Sequence, residues 1–257
     1  MRALALFLGL SMLGCSDRRP GVTVGFPDLD DKVGMYVYGL GFVGQLEVCG
    51  EKASKAQVKV PFDCLLPADL PLHADETIES KPMKLKWKPF LGEAQTFTVT
   101  QKLDLVKQME LVEAWLRAAG RGTKLPRNPK KSSGKAGFVL VTPGGGVRPT
   151  DAKTVGDVDI VVTVAAVNRH DTGKTCSYTG LMTGRLEAWD ADLLAFDAHN
   201  GEKLGKKHFD NDSPSCPSSN YGKMGEVNTV SSGPPEREME AWARTLKPSS
   251  KPSDDDE

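Results

Sequence analysis

Four histidines, His73, His170, His199 and His208, are the side chains in this 257-residue chain best suited to proton transfer or metal ligation near neutral pH. None lies in a catalytic motif. There is no Gly-x-Ser-x-Gly turn to expose a nucleophilic serine. Nor is there a His-Glu-x-x-His helix, whose i, i+4 spacing would aim two imidazoles at one zinc. His170, His199 and His208 fall in expected turns or at a strand end, where solvated side chains are the simplest reading. If the chain were a hydrolase with scattered residues, His170 and Asp171 would be the first pair to suspect.

Two acidic groups, Asp28/Asp30/Asp31 and Asp210/Asp212, offer oxygen ligands that could hold Ca²⁺, but neither has the Gly and distal Glu of an EF-hand loop. They read as turn carboxylates. Pro143-Gly144-Gly145-Gly146 is rich in glycine, yet no Lys-Ser/Thr follows and no helix opens behind it, so it reads as a loop rather than a phosphate cradle. The expectation is therefore no catalytic residue, no metal and no cofactor.

Charge is nearly balanced at a formal −1, and the terminal Asp254-Asp255-Asp256-Glu257 supplies −4 of it. The small remaining excess of cations gives no general case for nucleic acid, which needs many phosphate-neutralising groups on one face. One segment is locally basic: Arg121, Lys124, Arg127, Lys130, Lys131 and Lys135 lie between Gly120 and Gly137 without an acid among them. It reads as an exposed linker that would attract an anionic polymer at low salt.

Met1-Arg2 precedes an eleven-residue apolar run, Ala3 to Leu13, too short to cross a bilayer and of the length of an export signal. The run closes on Met12-Leu13-Gly14-Cys15, which resembles the lipobox of bacterial lipoproteins, with Gly14 and Cys15 matching and Met12 and Leu13 departing from the usual residues. The resemblance implies that Cys15 is lipidated, with palmitate among its acyl chains, and becomes the mature N-terminus. It also implies, through Ser16 after the cysteine, an outer-membrane location within the cell envelope.

Four cysteines remain: Cys49, Cys64, Cys176 and Cys216. An even number in an oxidising compartment favours disulfides. Three pairings are possible, and sequence proximity favours Cys49–Cys64 with Cys176–Cys216.

Short runs with period-2 alternation must position these groups. Val58/Val60/Phe62 alternate around Lys59, and Met83/Leu85/Trp87 alternate with Lys84/Lys86/Lys88. Leu105, Met109, Val112 and Leu116 recur at helical spacing over 102–119 beside Trp115. Asn200-Gly201 signals a two-residue type I′ hairpin, and Pro234-Pro235 opens a last helix over 236–246.

The expected class is α+β, predominantly antiparallel β, as two β-rich units each ending in a helix. The expected organisation is a signal peptide over 1–14, a lipidated tether over 15–21 and a first unit over 22–119. A basic linker over 120–137, a second unit over 138–246 and a disordered acidic tail over 247–257 complete it. The function these features point to is an envelope lipoprotein, held to the membrane at Cys15, that binds a protein or anionic polymer or serves in assembly rather than catalysing. The alternative is an envelope hydrolase without a local motif. Nucleic acid is not an expected partner.

Overall fold

Alternating side chains become sheet throughout this chain, because a strand that buries every second residue can cover a core with one face and meet water with the other. The computed structural model describes residues 20–27, 32–38, 44–54, 56–73, 75–90, 92–128, 136–142, 146–178, 182–218 and 227–248. The first half contains β1 (Gly21–Pro27), β2 (Lys32–Tyr38), β3 (Gly44–Val48), β4 (Glu51–Lys52), β5 (Gln57–Pro61), α1 (Phe62–Leu65), β6 (Ile78–Glu79), β7 (Met83–Pro89), β8 (Gln95–Val99), β9 (Lys102–Leu103) and α2 (Leu105–Ala119). The second contains β10 (Gly137–Val141), β11 (Val147–Thr150), a 3-10 turn at Val155–Asp157, β12 (Val158–Tyr178), β13 (Met182–Asp197), β14 (Lys203–Phe209), β15 (Val227–Ser232) and α3 (Glu236–Ala243). The class is α+β with strand predominating, as the sequence pattern predicts.

The first half forms antiparallel sheets ordered β1-β2-β5 and β4-β3-β7-β8, with a small β6-β9 pair. The second half is one six-stranded sheet, β11-β10-β12-β13-β14, in which β15 shares the β14 side of β13. Thr183–Ala188 of β13 face β15, and Ala191–Phe196 face β14. The β10/β12 and β13/β15 pairings are parallel.

Both faces of this sheet are covered where β10 crosses it, and all five β10 residues are buried. On one face Val139, Val141, Val158 and Val161 join a core that also contains Val33, Val60, Leu85, Leu111 and Trp115, so one apolar cluster draws on both halves of the chain. On the other face Phe138, Leu140, Ile160, Val162, Ala191, Leu193 and Ala195 pack against Met239 and Ala243 of α3. Each such Leu or Val contributes roughly 1.5–3 kcal/mol when buried fully.

Helix α2 begins where Asp104 accepts the Lys107 N–H at 2.8 Å, satisfying one of its free amides. Its buried stripe is Gln108, Leu111, Val112, Trp115, Leu116 and Ala119, and Trp115 stacks on Phe62 with ring centroids 5.8 Å apart. This face is rotated from the expected one. Leu105 and Met109 are exposed, because the core selects the stripe through Leu111 and Trp115.

The β13–β14 turn also differs from expectation. Only Gly201 has a positive φ, 74°. The Asp197 carboxylate accepts the N–H groups of His199 and Asn200, and the Gly201 N–H reaches the Asp197 carbonyl at 3.0 Å, so the chain makes an α-type turn instead of a two-residue one. That turn carries His199 inward. It is buried rather than solvated, with Nδ1 3.2 Å from the Leu125 carbonyl and Nε2 3.4 Å from the Asp159 carboxylate.

Of the segment expected to be a basic linker over 120–137, residues 120–128 and 136–137 are described: Leu125 is buried with its N–H donated to the Ala198 carbonyl at 2.6 Å, and Gly137 already belongs to β10. The disulfides are Cys49–Cys64 and Cys176–Cys216, with Cα atoms 6.4 and 5.7 Å apart. Cys176 sits with Leu186 and Val230 in a small separate cluster at the far end of β12.

His199→Leu, which keeps the side-chain bulk but removes the ring nitrogens from Asp159 and the Leu125 carbonyl, is expected to lower stability by about 1–3 kcal/mol. The reading is a lower urea midpoint at unchanged slope. Replacing Cys49 and Cys64 by alanine opens a loop with a sequence separation of 15. It is expected to cost about 3 kcal/mol by the chain-entropy relation, measured the same way.

Candidate functional site

On β13 the apolar residues Ala191, Leu193 and Ala195 face α3, so the pleat turns Asp190 and Asp192 to the opposite face. Across the β13/β14 ladder, His208 stands directly opposite Asp192. Its Nδ1 is 2.9 Å from Asp192 and its Nε2 3.0 Å from Asp210, which follows the end of β14. Lys206 approaches the other oxygen of Asp192 at 3.6 Å.

From β12, His170 reaches diagonally across the ladder to Asp190, with Nδ1 3.2 Å from Oδ2. The other Asp190 oxygen accepts the Asn211 N–H at 2.8 Å. Asn211 is buried and donates its amide to the Gly233 carbonyl at 2.7 Å, tying the end of β14 to the end of β15. The result is an open basin of about 520 Å³, lined by His170, Asp190, Asp210 and Asp212 among others.

The electrostatics follow from these contacts. The hydrogen bond to Asp192, reinforced by that to Asp210, raises the His208 pKa above its ordinary 6.5. The same bond from His208, with help from Lys206, lowers the Asp192 pKa below 3.8.

Asp190, His208 and Asp210 place one imidazole nitrogen and two carboxylate oxygens within 4.8 Å of one another, a donor set that suits a divalent cation. In the structure both ring nitrogens of His208 are already committed to carboxylates, so neither is free to take a proton from a nucleophile.

The residues singled out from sequence separate into several places. His170, expected at a turn or strand end, lies within β12, which continues to Tyr178, and it joins Asp210 and Asp212 around the basin. Asp171 lines the same basin as His170 but pairs with Arg185, at 3.7 Å, and not with His170, whose carboxylate partner is Asp190. His73 is exposed at a bend, and Gly146 accepts the Thr142 N–H at the end of β10. Cys15, Asp28, Asp30, Asp31, Gly144, Gly145, Lys130, Lys131, Lys135 and the 249–257 tail lie outside the described residues.

Sequence reading missed Asp190 and Asp192. The signal was present: two carboxylates two residues apart in the apolar run Ala188 to Phe196 must share one strand face. What it lacked was their partner, His208, sixteen residues beyond Asp192.

A second concavity, of about 380 Å³, lies where α2 ends above the sheet. Val141, Leu194 and Phe196 give it apolar walls, and Arg117 and Arg121 stand at its margin. No protein-family model, no curated protein and no solved structure matches the chain.

His208 binds its proton more tightly in the folded state, so its contribution to stability is complete below the unfolded value of 6.5 and disappears as pH rises through the higher folded value. Asp192, with its pKa lowered, contributes above 3.8 and loses that contribution as pH falls through its folded value. Thermal unfolding of wild type and His208→Gln is therefore expected to differ most between pH 3.8 and 6.5 and to converge in alkaline solution.

Proposed function

We propose that the chain is an exported lipoprotein, anchored through Cys15 in the cell envelope, that acts as a binding or assembly module rather than as an enzyme. The observation that carries the binding role is the open edge of β12. Strand β10 pairs with β12 only over Val158–Thr163. Beyond that, β12 is paired with β13 on one side and with no strand on the other among the described residues.

An unpaired edge offers backbone donors and acceptors to which an extended segment of a partner can add. The edge is also guarded. Its register is broken between Val164 and Ala166 and again between Asp171 and Thr175, and it carries Arg169, Asp171 and Lys174. Such bulges and charges disfavour indiscriminate pairing of copies while leaving a matched partner able to dock. The partner class this supports is an extended segment of another envelope protein.

Export is supported by the leader and by two disulfides, which persist in oxidising compartments. No helix among the described residues is long and apolar enough to cross a membrane. For the hydrolase alternative, His170 and Asp171 line one basin, but His170 takes Asp190 as its carboxylate partner and Asp171 pairs with Arg185.

A photoreactive residue at Val167 in the full chain in its native membrane is expected to yield an adduct of discrete mass, whereas one at exposed Lys84 of β7 yields none. Absence of any adduct from Val167 and Arg169 would remove the edge-docking role. Metabolic palmitate incorporation is expected in wild type and lost in Cys15→Ser; label retained in the variant removes the anchor.

A further inference from the structure

We propose that the outer face of the β1-β2-β5 sheet, with the first turn of α2, rests on the lipid headgroup surface of the membrane that holds the anchor. The inference rests on lipidation of Cys15 and adds an orientation to it.

The inner face of this sheet is given by Val22, Val33, Met35, Val37, Val58 and Val60, all buried. The outer face therefore presents Thr23, Tyr36, Tyr38, Gln57 and Lys59. None of these carries a negative charge. Tyr36 and Tyr38 are 46% and 59% exposed.

Each tyrosine lies against a glycine of β1. A Cβ at Gly21 would stand 2.5 Å from the Tyr38 ring, and one at Gly25 would stand 2.8 Å from the Tyr36 ring. The glycines thus let two large amphipathic rings lie close to the strand on a face that has no cover among the described residues.

The patch continues onto α2. Lys107 Nζ donates to the Gly25 carbonyl at 3.3 Å, which sets the first turn of the helix beside the glycine that Tyr36 overlies. That turn exposes Leu105, Val106 and Met109, at 41%, 68% and 50%. These are the residues left outside when the core took the Leu111–Trp115 stripe. Single exposed apolar side chains are ordinary, but five large ones along one strand and the adjoining helix turn exceed that pattern.

The occupant follows from where the chain leads. The six peptide steps from Cys15 to Gly21 reach at most about 22 Å. Tyr38 overlies Gly21 itself, so an acylated Cys15 holds the Tyr38 end of this face within that distance of the bilayer. Tyrosine is the side chain enriched at membrane–water interfaces, because its ring is apolar and its hydroxyl wet. Val106 and Met109 supply apolar area that can enter the headgroup boundary, and Lys107 supplies a cation toward anionic lipid. The Lys107 charge is partly offset by Glu110 at 2.9 Å. The face is thus an interfacial footing and not a span.

The test uses the full chain as purified from its own membrane, reconstituted in vesicles of phosphatidylethanolamine and phosphatidylglycerol that contain a diazirine-bearing phospholipid. After photolysis, mass spectrometry of peptides reads both the lipid on Cys15 and the sites of lipid adducts. Adducts on peptides containing Tyr36, Tyr38 and 104–110, reduced several-fold for the α2 peptide in Val106→Glu, are expected. Lipid on Cys15 with adducts elsewhere and none on these peptides overturns the membrane face while leaving the anchor intact. Adducts on the face without lipid on Cys15 support the face and overturn the anchor.

Discussion

The structure turns on the two faces of β13. A strand in the middle of a sheet must give alternate residues to opposite sides, and here one side is the apolar Ala191-Leu193-Ala195 row that α3 covers. Packing of that row leaves no freedom in the other. A slip of one residue would bury Asp190 and Asp192 against Met239 and Ala243, at several kcal/mol for unpaired charge in an apolar site. The register that satisfies the core is therefore the register that brings the two carboxylates to His170 and His208. The basin is a consequence of hydrophobic patterning on the far side of the same strand.

The same strand divides the labour of the second sheet. Its Ala191–Phe196 half pairs with β14 and is stabilised by α3, while its Thr183–Ala188 half pairs with β15. The Cys176–Cys216 link ties the end of β12 to the chain that follows β14. The Asp192–His208–Asp210 network is exposed, so its charge-assisted bonds act mainly as local geometry and as a response to proton activity, and only modestly as stability. The buried counterpart is His199. It joins the Leu125 carbonyl to Asp159, and Asp159 in turn accepts the Gly137 N–H at 2.8 Å. One imidazole thus fastens the segment between the halves to the start of the second sheet.

Two surfaces carry the proposed biology, and they differ in physical type. The β12 edge offers directional backbone groups and suits an extended polypeptide. The tyrosine face offers rings and methyl groups without direction and suits a fluid interface. Both are regions where residues that the core could have used were left outside, and in each the cause is topological. Strand β10 stops at the Thr163 pairing, and α2 turns its Leu111–Trp115 stripe inward.

What the sequence determined by itself was local. Alternation in Met83/Leu85/Trp87 and Val58/Val60 predicted strand residues whose burial is the one observed, because a pleat leaves only two faces to choose between, whereas Phe62, the third of the second series, opens α1. Cysteine number and spacing pointed to the pairs that form, since chain entropy favours near neighbours.

A helix offers a continuous circumference, and two overlapping apolar stripes on α2 were compatible with its sequence. Only the position of Phe62 and the sheets decided that Leu111 and Trp115 point inward while Leu105 and Met109 do not. The burial of His199 and the meeting of Asp192 with His208 were likewise decided by tertiary structure. Each depends on strand register and turn type, which fix distances between residues that the sequence separates.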